Sequence, residues 1–168
     1  VWLVWALGAC AVGLAYLGIM TPDALNYDST WSHLVIAQDY ARKGGIIKFL
    51  GNYNMGVPHL ASIVHTWSFT VPGLERPALR WMMALHNEFA LFCWTLAGVA
   101  AAARRMLGEP QLRGSWVAFF LFPIVFVYDS NMGGAADHVA AFFVPPLFLA
   151  TCLLWETFKP RAAALLAI

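Results

Sequence analysis

The sequence predicts an all-α fold, a polytopic bundle of transmembrane helices with amphipathic interfacial helices in a long first extracytoplasmic loop. Hydrophobic residues make up 61% of the 168 positions and charged residues only 11%, whereas soluble domains are about half apolar and a quarter charged. The mean hydropathy is +0.66. The apolar residues also gather in runs, the first of which approaches the roughly 20 residues that cross a bilayer as a helix.

Four complete spans are predicted, each centred on an apolar run. The third is short and contains Pro123, and the fourth contains Pro145 and Pro146, which are tolerated where neighbouring helices satisfy the freed carbonyls. A fifth span begins near residue 162, so the chain reads as the N-terminal part of a larger transmembrane protein. The predicted spans cover residues 2–21, 81–103, 114–128 and 136–155.

The charges between these spans orient them. Arg104, Arg105 and Arg113 separate the second span from the third, and Lys159 and Arg161 follow the fourth. The positive-inside rule makes both loops cytoplasmic. The loop over residues 22–80 and the turn over 129–134 then face outward.

Two amphipathic helices are predicted inside the outer loop. Ser29–Lys43 places Leu34, Ala37, Tyr40 and Ala41 on one face. His59–Phe69 does the same with Leu60, Ile63, Val64 and Trp67. Both helices are too short and too polar to cross the bilayer, so they are expected to lie on its surface.

Three acidic residues are candidates for chemistry. Asp28 precedes Ser-Thr-Trp, which suits either a helix N-cap or a carboxylate acting as a general base or metal ligand. Asp137 opens the fourth span beside His138 and suits either the helix dipole or a functional acid. Glu88 lies inside the second span near its outer end, where ionisable groups are costly and mark functional sites.

The remaining polar candidates are weaker. His33 and His59 are typical of membrane interfaces. Arg42 and Lys43 suit either a headgroup-contacting surface or a clamp for a lipid phosphate. The basic residues form no run long enough to follow a nucleic acid backbone, so no nucleic acid partner is predicted.

The stretch Asp28-Ser-Thr-Trp-Ser-His33-Leu34, followed by Tyr40-Ala-Arg-Lys-Gly44, resembles the first outer loop of GT-C superfamily glycosyltransferases. These polytopic enzymes, such as protein mannosyltransferases and lipid A aminoarabinose transferases, use polyprenyl-phosphate-linked sugars. Many bacterial members carry Asp, four residues, His-Leu, and a helix ending in Gly. The chain departs from that pattern at Ser32 and Val35, where Tyr and Pro are common.

The resemblance implies an inverting glycosyltransferase in the bacterial inner membrane, with its active face outward. Asp28 takes the role of catalytic base and Asp137 that of a second acid, and the leaving group is polyprenyl phosphate. The acceptor is a lipid, a glycan or a protein. No cofactor is required by the pattern, although a divalent metal on Asp28 and Asp137 stays open. The residues expected to bind substrate are His33, Arg42, Lys43, His59, Glu88 and His138.

Two other classes of protein fit the same composition. In a transporter or channel, Asp137 and Glu88 would line the transport pathway. In a non-catalytic membrane assembly subunit, each acid would serve only as a helix cap. The glycosyltransferase hypothesis makes the sharper structural prediction, because it requires the Asp28 and Asp137 carboxylates to lie within about 12 Å of each other in a common polar cavity.

Overall fold

A computed structural model describes residues 2–49, 56, 59–108, 114–117 and 132–158. Within these ranges the regular structure is entirely helical, which confirms the predicted all-α class. The elements are α1 (Trp2–Gly18), a 3₁₀ turn (Pro22–Ala24), a π-helical turn (Ser29–His33), α2 (Leu34–Lys43), α3 (Leu60–Thr70), α4 (Pro77–Leu107) and α5 (Asp137–Thr157).

Two of these helices are long and apolar enough to cross a membrane, α4 with 31 residues and α5 with 21. They coincide with the predicted second and fourth spans. The α1 helix is apolar but has 17 residues, about 26 Å of helix, and ends at Gly18 instead of continuing to residue 21. Of the predicted third span only residues 114–117 are described, and the predicted fifth lies outside the described residues. A bundle of many spans therefore stays a prediction.

The outer surfaces of α1, α4 and α5 carry many large apolar side chains. Soluble monomers rarely expose contiguous apolar patches of more than a few hundred Å². Surfaces of this kind suit contact with lipid. The exposed side chains include Trp2, Leu3, Leu14, Leu17, Trp94, Val144, Leu147 and Trp155.

The α4 and α5 helices run parallel to each other. Glu88 bonds to His138 near the start of α5, and Arg105 pairs with Glu156 near its end. The α5 helix begins beside Glu88 and not beside Leu107. Leu107, which ends α4, and Met132, which precedes α5, therefore lie at opposite ends of the bundle.

The α1 helix runs antiparallel to α4. Tyr16 packs on Phe89 with ring centroids 5.2 Å apart. Ile19, just beyond α1, joins Leu85, Phe92, Leu96 and Met132 in one buried cluster. The end of α1 and the first half of α4 therefore lie at the same end of the bundle. This arrangement agrees with the predicted alternation of the spans.

Gly98 lies where α4 packs tightly against α5. A Cβ atom at this position would lie 2.7 Å from the Cβ of Pro145. Small residues at such crossings let helix backbones pack closely in membranes. The close contact explains why glycine is accepted in the middle of a long helix despite its low helix propensity.

Replacing Gly98 with alanine is expected to destabilise the protein by about 1–3 kcal/mol, because the added methyl group forces the two helices apart. Gly13→Ala in α1 is the matched control, since a Cβ there meets nothing within 4 Å. The control should be neutral or stabilising. Unfolding of both variants in detergent measures the difference. Equal stability of the two variants would contradict the close helix crossing.

Both predicted amphipathic helices of the outer loop exist, but they use their apolar faces differently. In α2, Leu34 and Ala37 are buried against Phe69 and Ala84, so this face packs on α3 and α4 and not on lipid as expected. In α3 the predicted apolar face is turned outward, with Trp67 62% exposed.

The opposite face of α3 is polar and fully buried. Ser62, His65 and Ser68 each have no exposed surface. A soluble protein would reverse this pattern, because burying polar groups is costly. The inverted pattern fits a short helix that presents apolar side chains to lipid and polar side chains to the protein interior.

Candidate functional site

Glu88 organises the end of the bundle where α1 ends and α5 begins. Its side chain is fully buried. The backbone N–H of Gly134 donates to one carboxylate oxygen at 2.6 Å, and Nδ1 of His138 lies 2.9 Å from the other. A buried carboxylate is tolerated only when its oxygens are satisfied in this way. Glu88 therefore ties α4 to α5 and to the turn that precedes α5.

Glycine at two positions allows that turn to fit. The backbone N–H of Asn26 donates to the carbonyl of Gly133 at 3.0 Å, and a Cβ at Gly133 would come within 2.4 Å of the Asn26 side chain. Gly134 adopts a φ of +80°, which L side chains rarely adopt. The turn is thus held between the segment after α1 and the middle of α4, and it fixes the position of Asp137.

The carboxylates of Asp28 and Asp137 both act on one imidazole. His33 is buried at the end of the π-helical turn, and this burial lowers its pKa. The negative charges of Asp28 and Asp137 oppose that shift. Both acids are themselves exposed. Both predicted catalytic acids therefore act electrostatically on His33, and the predicted approach of their carboxylates to within about 12 Å stays a prediction.

Asp28 does not cap a helix. Its backbone is already helical, at φ −61° and ψ −33°, and its side chain makes no capping hydrogen bond. Instead, the hydroxyl of Ser32 donates to the backbone carbonyl of Asp28. The N-cap interpretation of Asp28 is therefore wrong, because the chain is already helical before Ser29. Asp137 occupies the first turn of α5, where the helix dipole favours a negative charge.

Glu88 and His138 were expected to bind substrate, but both are buried and contact protein groups. His138 also packs edge-on against Phe92, with centroids 5.5 Å apart. Among the described residues its Nε2 has no hydrogen-bond partner. In this structure the pair holds the turn that carries Asp137, so we treat both as positioning residues.

His65 was not among the predicted site residues, because from the sequence it was interpreted as an interfacial histidine. The residue is fully buried on α3, and burial lowers its pKa to about 4. The Ala135 backbone raises the pKa of His65 and His33 lowers it, so His65 lies near the turn that precedes α5. Neither ring nitrogen of His65 makes a hydrogen bond of normal geometry. The available signal was the spacing of Ser62, His65 and Ser68 along one helix face.

Acid is expected to destabilise the protein through His65. Its pKa is about 4 when folded and 6.5 in the reference state, so the unfolded chain takes up the proton first as pH falls. The contribution of the neutral ring is complete above about pH 7 and is lost progressively between about pH 6.5 and pH 4. At pH 5 the loss is about 2 kcal/mol.

Unfolding at pH 7.5 and pH 5 measures this effect, and His65→Gln should lose less stability than the wild type between the two. The control is His86→Gln, whose ring bonds the Met82 carbonyl within its own helix. It should keep the wild-type pH dependence. An unchanged pH dependence in His65→Gln would rule out His65 as the titrating group.

Of the other predicted binding residues, Arg42 and Lys43 lie away from His33, whereas His59 acts on it. Arg42 and Lys43 occupy the last turn of α2, about 14 Å along the helix axis from His33. Arg42 forms an exposed ion pair with Asp39 at 3.7 Å. His59 precedes α3, and its Nδ1 bonds to the hydroxyl of Tyr40, yet its charge still acts on His33.

Metal binding at Asp28 and Asp137 stays a prediction. In the described part of the chain no group of three or more His, Cys, Asp or Glu side chains is arranged to hold a metal ion. Protein metal sites use such groups, with three or more protein ligands common for zinc, whereas magnesium is held by one or two carboxylates and several waters. Of these two, magnesium suits a pair of acids better.

Comparison with known proteins finds no relative of this chain: no family model, no curated protein and no solved structure matches it. The function is therefore inferred from the residues and their geometry. The geometry joins the end of α1, the start of α2, the middle of α4 and the start of α5 around His33 and Glu88.

Proposed function

We propose that the protein is a membrane glycosyltransferase that transfers a sugar from a polyprenyl-phosphate-linked donor to an acceptor at the extracytoplasmic face. What supports this proposal is that two exposed acids, Asp28 and Asp137, both act electrostatically on one buried imidazole, that of His33. Carboxylates that act on an imidazole suit a site that handles protons, and Asp28 makes no helix cap.

In the proposed reaction Asp28 is the general base. It removes the proton from the acceptor hydroxyl as the oxygen attacks the anomeric carbon of the donor. The bond from that carbon to the phosphate oxygen breaks, and its electron pair leaves with polyprenyl phosphate. Attack opposite the leaving group inverts the configuration. General-base help of this kind contributes about 10²–10⁴-fold to a rate.

Asp137 and His33 have supporting roles in this scheme. Burial favours the neutral form of His33, which can donate a hydrogen bond without adding charge. Asp137 opens α5 directly after the turn that Glu88 holds, and its charge acts on the same ring. It can orient the acceptor or hold a cation that neutralises the leaving phosphate.

The inverted polarity of α3 supports a lipid-linked donor. Its apolar face, with Trp67 and Leu60, is exposed, while its polar face is buried beside the turn before α5. A helix of this kind places a polar site directly next to lipid. A donor whose sugar is polar and whose tail is apolar requires both environments within a few ångströms.

The transporter hypothesis is less well supported. It made Glu88 a pathway residue, but that carboxylate is buried and both its oxygens are occupied by Gly134 and His138. A group that binds and releases an ion has to be reachable from water. The bonds of Glu88 favour a structural role.

Photochemical labelling tests the proposed donor. A short polyprenyl phosphate carrying a diazirine near its phosphate is added to the full-length protein in lipid vesicles, and the labelled peptides are sequenced. We expect labels within residues 26–34 and 132–138, and their loss when unlabelled polyprenyl-phosphate sugar competes. Labelling elsewhere, or competition by a nucleotide sugar alone, would contradict the proposal.

A further inference from the structure

A second candidate site lies at the opposite end of the bundle from the acids. A cavity of about 440 Å³ opens between α1 and α4, a volume within the range of small-molecule and lipid sites. Among the described residues that line it, Arg104 is the charged one and the others are apolar or a cysteine. The lining residues are Val12, Cys93, Leu96, Ala97, Ala100, Arg104 and Trp116.

The shape of the cavity follows from side-chain size along α4. Ala97 and Ala100 leave space on the face that looks toward α1. Trp116 forms a wall, held by edge-on contact with Trp5 at 5.7 Å and by close packing on Gly8. The result is an apolar slot along the helix axis that ends at Arg104, in the last turn of α4.

Arg104 differs from its neighbour Arg105 in its ion pairing. Arg105 pairs with Glu156 of α5. Within the described residues Arg104 has no ion pair, and it is half-buried at the end of the slot. A cation at the end of an apolar slot is complementary to a molecule with an anionic head and an apolar tail.

We propose that this cavity binds an anionic phospholipid, with one acyl chain in the slot and the phosphate on Arg104. The positive-inside rule puts this end of α4 at the cytoplasmic leaflet, which is rich in anionic lipid. The site is separate from the acid cluster, and the proposal does not depend on the glycosyltransferase function.

Lipid analysis of the purified full-length protein tests the site. The wild type is reconstituted in phosphatidylcholine vesicles containing phosphatidylglycerol with a diazirine in one acyl chain, and retained lipid is counted by native mass spectrometry. We expect labelled peptides containing Val12 or Leu96. Arg104→Gln should reduce retained phosphatidylglycerol about fivefold, the effect of about 1 kcal/mol for one basic side chain.

Two further variants distinguish the contribution of the lipid phosphate from that of the acyl chain. Arg105→Gln is the matched control and should retain wild-type lipid. Ala97→Leu, which fills the slot and leaves the charge, should abolish acyl-chain labelling. Excess inorganic phosphate should not displace the lipid if the tail contributes to binding. Equal retention by Arg104→Gln and Arg105→Gln, or no labelling of the slot in the wild type, would overturn the proposal.

Discussion

Replacing Glu88 with alanine is expected to lower the free energy of unfolding by about 3–5 kcal/mol, the usual cost of removing one member of a buried charged network. The substitution leaves the Gly134 N–H and the His138 ring without the carboxylate that both bond to. It also releases the turn that positions Asp137. Glu88→Gln keeps the size and one acceptor oxygen, so we expect a smaller loss, on the order of 1–3 kcal/mol.

Unfolding of the detergent-solubilised protein measures this effect. Glu75→Ala is the control, because Glu75 lies exposed in the loop between α3 and α4, and exposed surface substitutions change stability little. If Glu88→Ala were as stable as Glu75→Ala, the network would not hold α5 to α4 as described.

The second large effect concerns the proposed reaction. Asp28→Asn keeps the size of the side chain and removes the base, so sugar transfer should fall about 10²-fold or more. Folding should be spared, because Asp28 makes no capping bond that asparagine would have to replace. Donor labelling near residues 26–34 should persist, since the donor binds before any proton moves.

Asp39→Asn is the matched control for this experiment. Asp39 is also on the outer loop and is half-buried, but its partner is Arg42, at the far end of α2 from His33. This variant should transfer sugar at the wild-type rate. A folded Asp28→Asn protein with unchanged transfer would remove the base from the mechanism.

The helices were predictable because their patterns are local. An apolar run, with Pro145 and Pro146 in its middle, predicted α5. A 3.6-residue period predicted α2 and α3, and the observed bounds of these two helices lie close to the expected ones. The apolar face of α3, with Leu60 and Trp67, is exposed as the sequence predicted. Local sequence did not predict that the apolar face of α2 would pack against α3 and α4, because that burial depends on residues distant in the chain.

The candidate site was predictable only in part. Asp28, Asp137 and His33 were singled out from the sequence, and both acids act electrostatically on the buried His33, but their roles stay predictions. The role of Glu88 was not predictable, because its partners Gly134 and His138 lie 46 and 50 residues away. The absence of a cap at Asp28 was missed because the backbone is already helical at Asp28, one residue before the π-helical turn begins at Ser29.

Release of polyprenyl phosphate is the most direct test of the proposed function. The full-length protein is incubated in vesicles with a polyprenyl-phosphate sugar and a cell-envelope extract as acceptor, and the lipid products are measured by mass spectrometry. We expect the amount of polyprenyl phosphate released to equal the amount of sugar transferred to the acceptor, and Asp28→Asn to suppress both the release and the transfer. An intact donor after prolonged incubation with the folded wild-type protein would contradict the proposed function.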